Sequence, residues 1–233
     1  MNGIQIPSIH ISDIDMRKCY FNPGCALSIY KPESEQKILN MLGKYFGSVQ
    51  LHNICCHHNP QLPHGATIIN NCAGCDRRFR SLYEGIQTIS LWEVLDSIEN
   101  LPSPDHAGLT VSVHDSCSYR TKPQVHAAVR SILRKMNIEI IESEYSGTKS
   151  ICCGDNFYPQ LPIEKVTELQ RKRAAQMPCQ DVVVYCVSCI KSMTIGCKTP
   201  HHMVDLVLNE ETEPQETSID VYHNTLNQYI DVH

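Results

Sequence analysis

Apolar positions alternate between two periods along most of the chain. Leu109–Val113 reads as a β-strand, after which Val125, Ala128, Val129, Ile132, Leu133 and Met136 recur at helical spacing with Pro123 near the start. The short apolar run Ile138–Ile141 predicts the next strand, and residues 163–177, rich in Lys, Arg, Glu and Gln, predict a second helix. Residues 182–185 supply a third strand. The order strand–helix–strand–helix–strand predicts an α/β fold with a largely parallel sheet.

The upstream part repeats this order in a shorter form. Arg17–Phe21 and Ala66–Ile69 read as strands, and the apolar-acidic segments Leu91–Leu95 and Met203–Val207 follow at similar distances. Two pseudo-repeated strand–helix units are therefore expected, over 17–105 and 106–208, with an extension at 1–16 and an acidic tail at 209–233. One stretch breaks the match. Cys56 to Cys72 spans 16 positions, whereas Cys153 to Cys186 spans 33. The missing length corresponds to the second helix; in its place stands His57–His64, with two prolines and no helical pattern. In the tail, a Glu/Thr/Pro-rich linker leads to Ile219–Val232. That segment reads either as a helix packing through Val221, Leu226, Tyr229 and Ile230 or as disorder.

Composition changes this picture at one point: the chain holds thirteen cysteines. A disulfide framework needs export, and Met1–Pro7 shows no basic start, apolar run or cleavage site. No stretch approaches the length of a membrane span. The cysteine count is odd and two pairs are adjacent, which favours ligands in a reducing cytoplasm over disulfides. Net charge is −5, and residues 209–233 hold six acids with no Lys or Arg, so the body is close to +1. No basic face is implied, and nucleic acid is not an expected partner.

Ten of the cysteines fall into two matching sets. The first is Cys25, Cys55-Cys56 and Cys72-Ala73-Gly74-Cys75; the second is Cys117, Cys152-Cys153 and Cys186-Val187-Ser188-Cys189. Each Cys-x-x-Cys follows a predicted strand, so the cysteine loops are expected at the carboxyl ends of the strands, where α/β sheets gather ligands. Thiolates suit both zinc and iron–sulfur clusters. Structural zinc takes four ligands, usually from two Cys-x-x-Cys knuckles, and each set offers five cysteines with one knuckle. Five thiolates including an adjacent pair suit an open or distorted cluster in which one sulfur bridges two irons. Zinc in one half is the alternative, above all in the first, where His57, His58 and His64 stand close in sequence.

The remaining candidates have quieter readings beside the active ones. His57, His58 and His64 read as ligands or proton donors, or as solvent-exposed loop residues. His114-Asp115 can tune a sulfur ligand or simply shape the loop. Gly154 is expected to let the backbone pass close to a bulky cluster. Cys19 and Trp92 read as core, Cys179 as packing at a strand entrance, and Cys197 as a spare thiol or a bystander. The basic helix around 165–173 reads as a solvated face, with docking of an acidic electron carrier as the alternative.

The pattern Cys-x34-Cys-Cys-x32-Cys-x-x-Cys at 117–189, with Gly154 after the pair, resembles the cysteine-rich CCG domain. The first half, opening Phe21-Asn22-Pro23-Gly24-Cys25, resembles a shortened copy whose Cys-Cys is followed by His57 rather than Gly. Tandem copies occur in the B subunit of heterodisulfide reductase, and related copies in respiratory and lactate or glycolate oxidation proteins. The resemblance covers residues 17–208. It implies two non-cubane 4Fe–4S clusters, one on Cys117, Cys152, Cys153, Cys186 and Cys189, the other on Cys25, Cys55, Cys56, Cys72 and Cys75. His57 or His58 are alternative ligands in the first half. It further implies an oxidoreductase subunit that reduces a disulfide or thiol substrate or passes electrons. The chain has no Cys-x2-Cys-x2-Cys-x3-Cys run and no Gly-x-Gly-x-x-Gly, so a ferredoxin-like or flavin protein is the expected electron donor. The competing expectation is a zinc or iron–sulfur module that serves structure or assembly without catalysis of its own.

Overall fold

The computed structural model describes residues 14–233. The extension expected over 1–16 lies outside the described residues as far as residue 13. The first unit runs β1 (Cys19–Asn22), α1 (Cys25–Tyr30), α2 (Pro32–Phe46), β2 (Gln50–Leu51), β3 (Thr67–Asn70), α3 (Ala73–Leu82), β4 (Gln87–Ser90) and α4 (Leu91–Asp96). The second runs β5 (Thr110–His114), a 3-10 turn at Cys117–Tyr119, α5 (Pro123–Lys135), β6 (Glu139–Ile140), α6 (Ile163–Ala175), β7 (Asp181–Val184), α7 (Val187–Ile195), β8 (Thr199–His202) and α8 (Met203–Leu208). A last helix, α9 (Ile219–Val232), follows the acidic linker.

Each unit builds one four-stranded, all-parallel sheet, in the orders β2-β1-β3-β4 and β6-β5-β7-β8. This is the expected α/β fold of two similar units. The central strands are buried, which is why Val182–Val184 and Thr67–Ile69 read as continuous apolar runs rather than alternating ones. Pro32 and Pro123 open α2 and α5, where a missing N–H costs nothing. Ser90 and Glu93 close a reciprocal capping box at α4. Arg17 departs from expectation. Met16–Lys18 form a 3-10 turn, and the strand begins at Cys19, whose side chain is buried as read.

The units share one hydrophobic core and pack reciprocally. The short helix that ends each unit lies against the long first helix of the other, α4 on α5 and α8 on α2. Near the seam, Trp92 and Tyr119 lie against the ring of Tyr185, and all three are buried. Two buried ion pairs cross it: Lys31 with Asp205 at 3.0 Å and Lys122 with Asp76 at 3.3 Å. Each also takes hydrogen bonds or ring contacts that offset desolvation, since Tyr30 donates to Asp205 and Lys122 lies over the Tyr119 ring.

One expected feature and one difference matter for the site. Residues 52–66, between β2 and β3, contain no helix, whereas α6 fills the corresponding connection in the second unit. The tail segment is a helix, but its buried anchors are Ile219 and Tyr222, while Val221 is 46% exposed. The apolar positions leave helix and disorder open, and the helix's orientation is set by partners on two units, which no local pattern carries.

Candidate metal centre

Every strand-to-helix junction that carries a cysteine lies at the carboxyl edge of its sheet. Asn22 ends β1 three residues before Cys25, and His114 ends β5 three residues before Cys117. Cys72 and Cys186 follow β3 and β7 directly or within two residues and occupy the N-cap positions of α3 and α7. Cys75 and Cys189 lie in the first turns of those helices. These cysteines therefore sit at the positive end of a helix. The Cys75 thiol, and with it the backbone N–H groups of Cys75 and Gly74, favour the thiolate form of Cys72.

The sulfurs of each set form a continuous chain in the same order. In the first, contacts run Cys25–Cys55–Cys56–Cys75–Cys72. In the second they run Cys117–Cys152–Cys153–Cys189–Cys186. All ten are free thiols, and none of the thirteen cysteines forms a disulfide. Cys55 and Cys152 occupy equivalent places, each flanked by two other thiols. Hydrogen bonds from Cys25 and Cys56 hold Cys55 far below the ordinary thiol range, and Cys117 and Cys153 do the same for Cys152. Backbone N–H groups add to this, from His57 on Cys55 and from Gly154 and Asn156 on Cys152. At the ends of the chains, Cys25 and Cys117 are pushed up by the neighbouring thiol and by burial. A set of clustered sulfurs with donors already aimed at the central one suits a group that needs several thiolates together. The cysteine-rich clusters can hold a metal ion or a metal–sulfur group.

Two glycines are required where the chain turns into a set. Gly24 has φ +80, and a Cβ there would lie 2.7 Å from Cys72 Cβ. Gly154 has φ +107, and a Cβ would come within 3.0 Å of the α6 backbone at Gln170. Gly154 is thus needed for its left-handed backbone and for the close approach of α6, not to make room for a cluster. The first unit has no such helix, which removes one of the two demands for glycine at His57.

The surroundings of the second set are closed. His114 is buried, and Arg173 Nε donates to its Nδ1 at 3.2 Å. One ring nitrogen of His114 and the sulfurs of Cys153 and Cys189 lie within 4.8 Å of one another. Burial pushes the His114 pKa down to about 3, so the ring is neutral. Arg173, only 2% exposed, also donates to Tyr145 O and Gln176 Oε1. The neighbouring Asp115 shapes the loop: Arg130, Gly147 N–H and Tyr185 OH all donate to it, and its own carbonyl accepts from Ser150. Arg173 lies on the helix read as a solvated face; Arg171 and Lys172 are exposed as expected, but Arg173 turns inward.

The first set is more open. A cavity of 460 Å³ is lined by all five of its cysteines, by His57, Arg77 and Arg78, and on the far side by Cys186 and Ser188. The end of α9 comes down beside this set: Cys55 N–H donates to His233 O, His58 hydrogen-bonds Ile230 O, and Leu226 and Ile230 line the cavity. The start of α9 rests on the second unit, with Tyr222 OH bonded to Ser188 and His223 to Asp155. Lys191, fully buried, pairs with Asp155 at 2.5 Å and sits over the Tyr222 ring. One helix therefore spans the mouths of both cysteine sets.

Of the histidine candidates, His57 reaches the cavity, His58 is engaged by α9, and His64 packs against Gly85 outside the cluster. Cys179 and Cys197 join neither set. Cys197 is exposed beyond the far end of α7, across the helix from Cys186 and Cys189. Among the described residues, no helix is long and apolar enough to cross a membrane. Residues 111–195 match the sequence profile of the CCG cysteine-rich domain. No curated protein matches the chain.

Proposed function

We propose that each cysteine set holds a 4Fe–4S cluster of the non-cubane kind and that the protein passes electrons to a thiol or disulfide substrate. The observation that carries this reading is the pair of identically ordered five-sulfur chains, one of them open to a cavity. When bound, such clusters supply one-electron transfer at a sulfur-rich surface. The ligands are Cys25, Cys55, Cys56, Cys72 and Cys75 in the first set and Cys117, Cys152, Cys153, Cys186 and Cys189 in the second.

The chain's own residues would bind and orient the substrate. The cavity lining contains the guanidinium-bearing Arg77 and Arg78 and no carboxylate, which favours a substrate carrying negative charge. Leu82, Leu226 and Ile230 give it an apolar rim. Reduction of a disulfide to two thiols consumes two electrons and two protons; His57, exposed at the cavity, is placed to deliver a proton. Electrons come from a separate ferredoxin-like or flavin protein.

Anaerobic protein reduced by a viologen dye and mixed with small disulfides tests this directly. Two thiols per two electrons, released faster from an anionic disulfide than from a neutral one, is the expected result. No thiol release from iron-loaded protein contradicts it. A second reading, a metal that only holds the fold for a partner, draws support from the burial of Cys153, Cys189 and His114. It predicts metal-dependent folding with no electron uptake.

A further inference from the structure

The second set has a feature that ligand counting does not use. His114 Nδ1 accepts from Arg173, so the neutral ring carries its proton on Nε2. That Nε2 is buried and meets no hydrogen-bond partner. A buried donor left unpaired is costly to the fold. The groups gathered round the ring are the sulfurs of Cys153 and Cys189. Behind the ring stands the Arg173 guanidinium, buried, with no carboxylate in ion-pair reach among the described residues. Burial lowers the Arg173 pKa from its ordinary value, against the opposing pull of Cys189, Asp115, Cys153 and Cys152.

We propose that Arg173 and His114 form a buried relay that raises the reduction potential of the group held by the second cysteine set. Arg173 fixes the ring tautomer, His114 Nε2–H is the unpaired donor left available to the group the cysteines hold, and the guanidinium offsets that group's negative charge. This rests on the cluster reading of that set. Reduction adds an electron to an already anionic site, so a nearby donor and a nearby cation both stabilise the reduced form. Both residues are positioning residues. The same tautomer argues against His114 as a ligand, because a coordinating Nε2 would have to lose its proton.

The first unit lacks both parts. Asn22 stands at the position of His114, and its Nδ2 faces His52, contacting both His52 Nδ1 and His52 O. Arg173 comes from α6, the helix that the first unit does not have, and no arginine of the first unit is buried among the described residues. The relay is therefore specific to the second set, and the missing helix removes a cation as well as a cover.

The test is a redox titration followed by EPR, in a Cys56→Ser background that silences the first set. His114→Asn copies the residue of the first unit, Arg173→Met removes the charge at similar length, and Arg173→Lys retains it. Iron content and thermal melting are measured on each. The expected result is retained iron with the midpoint potential lowered in His114→Asn and Arg173→Met, by at least the roughly 59 mV of a tenfold change in a one-electron equilibrium, and largely restored in Arg173→Lys. Unchanged potentials in iron-loaded variants overturn the relay. So does loss of iron from all three variants, which would assign the pair to folding, and so does directly bonded nitrogen coupling in pulsed EPR, which would make His114 a ligand. Parent protein that takes up no iron defeats the cluster reading itself, and that outcome is visible before any variant is made.

Discussion

The two cysteine sets have the same sulfur order and the same place at the edge of a parallel sheet, yet they differ in what covers them. The second is sealed by α6, which brings Arg173 inward and presses so close that residue 154 is glycine. The first has a 15-residue loop over 52–66 in that position and is covered instead by the end of α9, across a 460 Å³ cavity. A duplicated site can thus keep its ligand geometry while one helix decides access and local charge. On the proposed function, the closed copy would hold an electron and the open copy would meet the substrate.

Removing a sulfur from the closed copy is the harshest break. Cys153→Ser interrupts the chain between Cys152 and Cys189 and should abolish the second set's EPR signal while the first survives. A signal that persisted unchanged would refute that ligand assignment. Ending the chain before Ile219 comes next, because it strips the cover from the open copy. The first set should then lose its signal to oxygen much faster than the second, followed by EPR after timed exposure to air. Equal rates of loss would show that α9 is not the cover.

Acid should act on the second unit. His202 stands at the N-cap of α8, where the first unit has the Ser90 capping box, and both of its ring nitrogens lack partners. Burial lowers its pKa to about 4. Above the unfolded value near 6.5 the ring is neutral in both states and has no effect. As pH falls from there to about 4, the unfolded chain binds the extra proton, and stability drops by at most ~1.4 kcal/mol per pH unit from this group. Urea unfolding across that window should show the slope, and His202→Ser should reduce it. The smallest contrast lies at the residue after each cysteine pair. Gly154→Ala should cost ~1–3 kcal/mol through its left-handed backbone and the contact with α6. His57→Ala should cost under about 0.5 kcal/mol, its side chain being exposed. Paired thermal melts compare the two.

Much of this was legible in the chain. The strands, most helices, the repeat and the missing helix follow from periodicity and from the gap between cysteines, since both record local geometry. What the pattern hid depends on contacts between distant segments. Arg173 looks like its solvated neighbours Arg171 and Lys172 until His114 and Tyr145 arrive from elsewhere in the unit. Gly154 has a plain sequence signal, but its reason lies in α6. The tail helix shows its apolar positions, whereas its span across both sets depends on Ser188, Asp155 and Cys55. His57, His58 and His64 looked like one cluster, and the loop sends them to three different places.

Metal analysis of anaerobically prepared protein is the most direct test of the central claim. With both sets loaded, about eight irons and a matching quantity of acid-labile sulfide per chain are expected, about four per set, with little zinc. Zinc in place of iron, or iron without sulfide, would contradict it.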